Sequence, residues 1–382
     1  MDKVVSVISG ISGQDGSYLA EYLLSKGEQV IGFSRRTSVH STRRIDHLMG
    51  EKNFTYLEGD VNDQQFIWKL IADHKPTKFF NLAAQSHVHT SFSNPETTFN
   101  IDTLGVLYIL EAIRTLSPET RFYQASTSEM FGSNYSACRG LPFDGNEIVE
   151  QRFQNEDTPF SPNSPYAIAK LAAHHLVRLY RESYSLKCCS GILFNHESPR
   201  RGDNFVTQKI IKWLVNFEQW KKKNEALEEN KQCTYETFND NITLMRTNPD
   251  NKPYGSLAAW AVGPAISKLR LGNLDASRDW GHAADYVKAM DLMLDQDRLD
   301  DFVVGTGETH AIRDFLKYSF SLLNISNWED YVVIDPKFIR PSEVPYLCAR
   351  PERIKALGWK PEITFEKLIE DMYNTEKQNV TR

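Results

Sequence analysis

Cysteine is scarce in this chain. The five residues (Cys138, Cys188, Cys189, Cys233, Cys348) include no Cys-x-x-Cys pair. An odd count without paired spacing argues against a disulfide framework and points to free thiols in a reducing compartment. A surplus of either charge is also lacking. The 44 Lys and Arg against 50 Asp and Glu leave a net charge of −6, too mild for a general nucleic-acid or membrane-surface binder. No apolar run approaches the ~20 residues of a membrane span. The opening MDKVVSVISG reads as a strand entering a glycine turn, without the basic start and long apolar stretch of a secretion signal, so a cytoplasmic protein is expected. Internal repeats and low-complexity tracts are missing too. What remains is a chain of 382 residues, enough for a large core and two domains.

Residues 4–8 form a β-branched run, short enough for a buried parallel strand, and lead into Gly10-Ile11-Ser12-Gly13-Gln14-Asp15-Gly16 and then an apolar-periodic helix closing on Gly27. Strand, glycine turn and helix in that order lift a GxxGxxG above a mere glycine-rich turn. The glycines admit a pyrophosphate to the backbone, on the unpaired N–H groups of a helix N-terminus. A second strand, 29–33, ends on Ser34-Arg35-Arg36, roughly 20 residues beyond the last glycine, where such folds place an acid for NAD or an arginine for the 2′-phosphate of NADP. A basic stretch is often only a solvated loop, but this position favours NADP.

Strands at 54–57, 78–82 and 122–125 alternate with helices at 64–74 and 98–116, predicting a doubly wound parallel sheet, with ligands beyond the carboxyl ends of its strands. The third of these strands delivers Thr127-Ser128-Glu129, and further on Ser164-Pro165 opens a helix carrying Tyr166 and Lys170. Four residues is about one turn, so the phenol and the ammonium share a face, and the ammonium favours the phenolate. A Tyr-x-x-x-Lys pair alone is usually unremarkable. Here it makes Tyr166 a candidate base. Residues 133–157 are polar and read as an irregular surface excursion, 206–220 as a helix with a charged continuation, and 233–255, rich in Asn, Thr and Asp, as a loop. The expected organisation is an α/β Rossmann-type domain over 1–194, interrupted near 133–157. A smaller C-terminal substrate-binding α/β domain follows over 195–382, interrupted near 218–262, with 269–300 returning in part to the first.

Gly10-x-x-Gly13-x-x-Gly16, Asp60-Val61, Asn81-Leu82-Ala83-Ala84 and Tyr166-x-x-x-Lys170 together resemble the extended short-chain dehydrogenase/reductase family. The blocks GQDGSYLAEYLL, NLAAQSHV, YQASTSEMFG, SPYAIAK, GILFNHESPRRG, LGNLDASRDWGHAADYV and RPSEV are similar to its GDP-mannose 4,6-dehydratase branch. The resemblance covers nearly the whole chain apart from two insertions. It implies NADP held by Gly10, Gly13, Gln14, Asp15, Gly16, Arg35, Arg36, Asp60, Val61, Leu82, Ala83, Ala84, Tyr166, Lys170, His196 and Arg201. It implies a GDP-sugar held by Ser86, Asn195, Lys209, Arg278, Arg340 and Glu343, and Thr127, Glu129, Tyr166 and Lys170 as catalytic residues. It further implies a homo-oligomer, tetramer or dimer, no metal, and a 4,6-dehydration of GDP-mannose.

Three departures stand out. The interval between Glu129 and Tyr166 is long, a second insertion follows Trp213, and Arg350 occupies the place of an expected acid. They leave open a related sugar such as a GDP-manno-heptose. An epimerase or reductase would share Tyr166 and Lys170 without needing Glu129, and a cofactor-binding protein without catalysis would have no use for the combination of the four.

Overall fold

Short apolar runs alternating with amphipathic helices build a seven-stranded sheet whose pairings are all parallel. The computed structural model describes residues 3–38, 41–140, 149–225, 233–238, 240–246, 265–339 and 342–381. The chain divides into two compact units, and the first comprises residues 1–200, 277–309 and 342–364. Its strands are Val5–Ser9 (β1), Gln29–Ser34 (β2), Phe54–Glu58 (β3), Lys78–Asn81 (β4), Arg121–Thr127 (β5), Cys188–Leu193 (β6) and Phe302–Val304 (β7). They lie in the order β3-β2-β1-β4-β5-β6-β7. Strand order reverses between β1 and β4, opening a crevice at their carboxyl ends.

Helices cover both faces, as a parallel sheet requires. Gln14–Ser25 (α1) and Ala283–Leu294 (α5) bury Leu19, Leu23, Met290 and Met293 on one side. Gln64–His74 (α2), Gly105–Leu116 (α3) and Pro165–Tyr184 (α4) bury Ile67, Ile71, Ile109, Ile113 and Val177 on the other. The helix expected over 98–116 is composite. Pro95–Phe99 passes through a π-helical turn, Asn100–Leu104, into α3.

Two readings of the sequence are corrected. The excursion at 133–157 contains an antiparallel hairpin, Ser136–Gly140 with Val149–Phe153. The stretch 233–255 is not a loop throughout: Cys233–Phe238 pairs with Asn241–Arg246, which also pairs with Ile266–Ser267. Both stretches are rich in polar residues and turn formers, which carry little strand signal in the sequence.

The second unit comprises 201–276, 310–341 and 365–382. Its helices Val206–Glu225 and Phe365–Thr381 are tied by the Glu218 carboxylate, which accepts from Tyr373 Oη at 2.7 Å and from Lys377 Nζ at 2.8 Å, and Ile312–Ser321 joins Phe365–Thr381 through Tyr318 Oη, which donates to Glu370 at 2.6 Å. Leu269–Leu271 and Val332–Ile334 form a parallel pair within it. No described helix is long and apolar enough to cross a membrane.

Candidate active site

The glycine turn between β1 and α1 is a cradle that side chains would fill. Gly10 has φ +68°, and a Cβ there would lie 2.9 Å from Ala83 N; a Cβ on Gly16 would meet Gly10 O at 2.5 Å. Gly13 caps α1 without any side-chain hydrogen bond, leaving the first-turn N–H groups and the helix dipole for an anion. The segment after β4 is bent towards this turn by Ser9. Its hydroxyl donates to Asn81 Oδ1 (2.6 Å) and accepts the N–H groups of Leu82 (3.0 Å) and Ala83 (3.1 Å). These residues fit a dinucleotide.

At the ends of β2 and β3, Arg35, Arg36, Glu58, Gly59 and Asp60 line an open pocket. Both arginines are exposed. Val61 is buried beside it, and Asp60 Oδ1 accepts Asn62 N–H at 2.9 Å. Arg44, farther along the same loop, turns inward and donates to Arg200 O (2.8 Å) and Ser12 O (3.3 Å), bracing the glycine turn.

The strand Asn195–Glu197 is stitched to the first turn of α1. His196 Nε2 lies 2.8 Å from Asp15 Oδ2, while Nδ1 donates to Phe194 O at 2.8 Å. Gln14 Nε2 donates to Asp15 Oδ1 (3.0 Å) and His196 O (3.1 Å), and Ser198 Oγ donates to Gln14 Oε1 (2.8 Å). The His196 ring is thus held by Asp15, stacked on Tyr286 at 4.6 Å.

Thr127 ends β5, and its hydroxyl accepts the Glu129 N–H at 3.2 Å, turning the chain into the short 3₁₀ helix Ser128–Phe131. Glu129 is half-buried there. Ser164 caps α4 through the Ala167 N–H (3.1 Å), and Pro165 fits the first helical position, so Tyr166 sits in the first turn. Tyr166 and Lys170 lie on the buried stripe of α4 with Ala169, Ala173 and Val177. Lys170 Nζ lies 6.0 Å from the Tyr166 ring centroid and donates to Ala125 O at 3.0 Å, two residues before Thr127. Lys170 is thereby held against the strand that delivers Thr127 and Glu129, one helical turn from Tyr166.

Among the candidate substrate residues of the first unit, Arg278 is buried and pairs with Glu343 at 3.1 Å. Asn195 pairs in register with Trp280, two residues after Arg278, and Ser86 is exposed. In the second unit, Lys209 Nζ sits 3.4 Å from the Phe338 ring centroid, and burial pushes its pKa down. Arg201 stacks on Phe205 at 3.5 Å. Arg340 lies outside the described residues.

These blocks occur in order along one known family. The sequence profile of GDP-mannose 4,6 dehydratases matches residues 7–247 and 231–372. A GDP-mannose 4,6-dehydratase of Vibrio cholerae serotype O1 is 38% identical over 406 residues, covering 97% of this chain and 93% of its own. GDP-mannose 4,6 dehydratase 2 of Arabidopsis thaliana is 40% identical over 389 residues, covering 99% and 88%. The chain belongs to the GDP-mannose 4,6-dehydratase family. The fold alone is wider than this family. A dTDP-glucose 4,6-dehydratase from Streptomyces venezuelae, solved with NAD, superposes with TM-score 0.75 at 17% identity over 99% of this chain and 98% of its own. A UDP-glucose 4-epimerase from Thermotoga maritima gives 0.72 at 20%, over 99% of each.

As a member of the GDP-mannose 4,6-dehydratase family, the chain carries features that its motifs alone did not reveal. The hairpin at 136–153 is anchored to the segment after Glu343. Gln154 N–H donates to Cys348 O (2.8 Å) and Arg350 N–H to Gln154 O (2.9 Å), while the Arg350 guanidinium covers Phe153 at 4.5 Å. Arg350, the departure in the sequence, thus serves the insertion. Asp279 was also overlooked. Its buried carboxylate accepts from Thr306 N and Oγ1, Gly307 N and Ala349 N, all within 3.0 Å, bracing the strand behind Arg278. Asp102, fully buried on the π turn, was missed as well, although with Val106, Ile109 and Ile113 it continues an apolar helical stripe, and an acid on such a stripe is the signal.

Proposed function

We propose that this protein converts GDP-mannose to GDP-4-keto-6-deoxymannose by loss of water, as an NADP-dependent hydro-lyase. The observation that carries the reading is that Lys170, one turn from Tyr166, bonds the strand that delivers Thr127 and Glu129, since an epimerase or reductase has no need of Glu129. The glycine turn Gly10–Gly16, with Leu82, Ala83, Asp60, Arg35 and Arg36, would hold the dinucleotide. When bound, it would supply hydride chemistry, for the oxidation at C4 of the sugar and the later reduction at C6.

Tyr166 removes the O4 proton as C4 becomes a ketone, the adjacent Lys170 ammonium favouring the phenolate. Thr127 Oγ1 holds the same hydroxyl in place. The ketone acidifies C5–H, and Glu129 takes that proton and delivers one to the departing O6 hydroxyl, which leaves as water. C5 then regains a proton, and because the oxidation at C4 is matched by the reduction at C6 the sugar shows no net oxidation. In dTDP-glucose relatives an aspartate before the glutamate acts as the acid. Here that position is Ser128, so Glu129 serves both steps. Arg278 would face the diphosphate, whose oxygens a guanidinium fork binds in pairs.

Mass spectrometry of products from GDP-mannose, a GDP-manno-heptose, UDP-glucose and dTDP-glucose tests the reaction. GDP-mannose is expected to lose one water with the highest kcat/KM. A faster heptose revises only the sugar. A faster glucose nucleotide, or inversion at C4 without water loss, overturns the reading.

Cofactor choice gives a second expected result. Arg35 and Arg36 line the pocket in which a ribose phosphate would lie, and charged hydrogen bonds contribute about 1.5–3 kcal/mol each. Arg35→Asp should raise the NADP Kd by about 10- to 100-fold and leave that for NAD nearly unchanged. Calorimetric titration of both cofactors checks this, and equal affinity of the unaltered protein for the two removes the assignment.

A further inference from the structure

Lys170 is buried with its ammonium, and a buried ammonium needs an anion to remain charged. Three groups face it. On its own helix the Tyr166 ring lies one turn back, with the centroid 6.0 Å from Nζ. From β5 the Ala125 carbonyl accepts at 3.0 Å. From the π turn Asn100–Leu104 comes Asp102, whose charge opposes the effect of burial on Lys170.

The setting of Asp102 is unusual for a carboxylate. It is fully buried. Oδ1 accepts the Gln85 N–H at 2.8 Å, whereas buried Oδ2 has no hydrogen-bond partner. A buried structural aspartate is normally saturated, as Asp279 is here, so an unsatisfied oxygen calls for a role. The surrounding backbone is arranged to present it. The π turn widens the helix at this point, and Thr103 Oγ1 fastens it to Ala169 O at 2.9 Å, next to Lys170 in the chain. Gln85, the other partner, is itself held by its bonds to His87 O (3.3 Å) and Thr98 Oγ1 (3.1 Å).

We infer that Asp102 is the counter-ion of Lys170, a positioning residue that keeps the ammonium charged beside the Tyr166 phenol. The assignment rests on the proposed role of Tyr166, but the charge pairing itself does not. The two groups answer each other. Burial pushes the Asp102 carboxyl up to about 6, and the lysine charge draws it back; burial pushes the Lys170 ammonium down, and the carboxylate opposes this. Above pH ~6 the carboxylate is ionised, so around neutral pH the pair is charged. Asp102→Asn keeps an oxygen for Gln85 and removes the charge. The Lys170 pKa must then fall, because burial acts unopposed.

The test uses protein carrying ¹³C at lysine Cε, with the Lys170 resonance assigned through Lys170→Arg. Asp102→Asn is expected to lower the Lys170 titration midpoint by about one pH unit or more. The alkaline limb of the kcat profile should move down by the same amount while KM for the nucleotide sugar changes little. An unchanged midpoint overturns the pairing. Should Asp102→Asn fail to fold, the reciprocal measurement decides. The Asp102 carboxyl resonance in Lys170→Met must titrate above its position in the unaltered protein, and an equal midpoint overturns the inference. Both titrations are read without substrate. Failure of the dehydratase reading would leave them unmoved, and failure of the pairing would leave water loss from GDP-mannose intact.

Discussion

Glu129→Gln is expected to lower turnover of GDP-mannose by about 10²–10⁴-fold, the usual range for removal of a general base, yet to leave the first oxidation visible. Glu129 sits half-buried on the turn after β5, its backbone held by Thr127, and neighbouring Ser128 is buried and cannot replace it as an acid. Gln preserves size and the Thr127 contact but neither takes the C5 proton nor gives one to O6. Mixing the variant with GDP-mannose and oxidised cofactor should therefore produce a reduced-cofactor absorbance that rises and persists, with no loss of water by mass spectrometry. Near-normal turnover would remove Glu129 from the mechanism. Absence of any absorbance would move it to the oxidation step.

Tyr166→Phe should fail earlier and produce no reduced-cofactor absorbance at all. The phenol is mostly buried in the first turn of α4, where the ring packs and only the hydroxyl is available for chemistry. Phe keeps the ring beside Lys170, so the fold and GDP affinity should be nearly unchanged while kcat falls by about 10²–10⁴-fold or more. Calorimetric binding of GDP separates loss of chemistry from loss of structure. An accumulating reduced cofactor in this variant would reassign the base. Together the two variants divide one catalytic cycle at the ketone, which no effect on stability reproduces.

Local signals made much of this protein legible. The GxxGxxG between a β-branched run and a helix, the small residues after Asn81 and the four-residue spacing of Tyr166 and Lys170 report backbone conformation and helix geometry, properties of contiguous residues. Ser164-Pro165 announces the start of α4 in the same way. The hairpins were hidden because polar, turn-rich stretches carry little strand signal, and the cross-strand backbone bonds that hold them leave no mark on the sequence. The division of the chain was also obscure. Residues 277–309 and 342–364 rejoin the first unit through β7, α5 and the Gln154–Cys348 pairing, all of high sequence separation.

Read alone, the chain specifies a parallel α/β protein with a glycine-rich cradle and offers candidate side chains for chemistry. Short-range periodicity and turn chemistry suffice for those. Only the tertiary structure decided which charges are buried together. Asp102 and Lys170 are remote in sequence, and nothing local to either says that one will be the other's counter-ion. That depends on a π turn being packed against α4 and on exclusion of water from both groups. Burial converts ordinary ionisable residues into a coupled pair, and burial is a property of the folded chain.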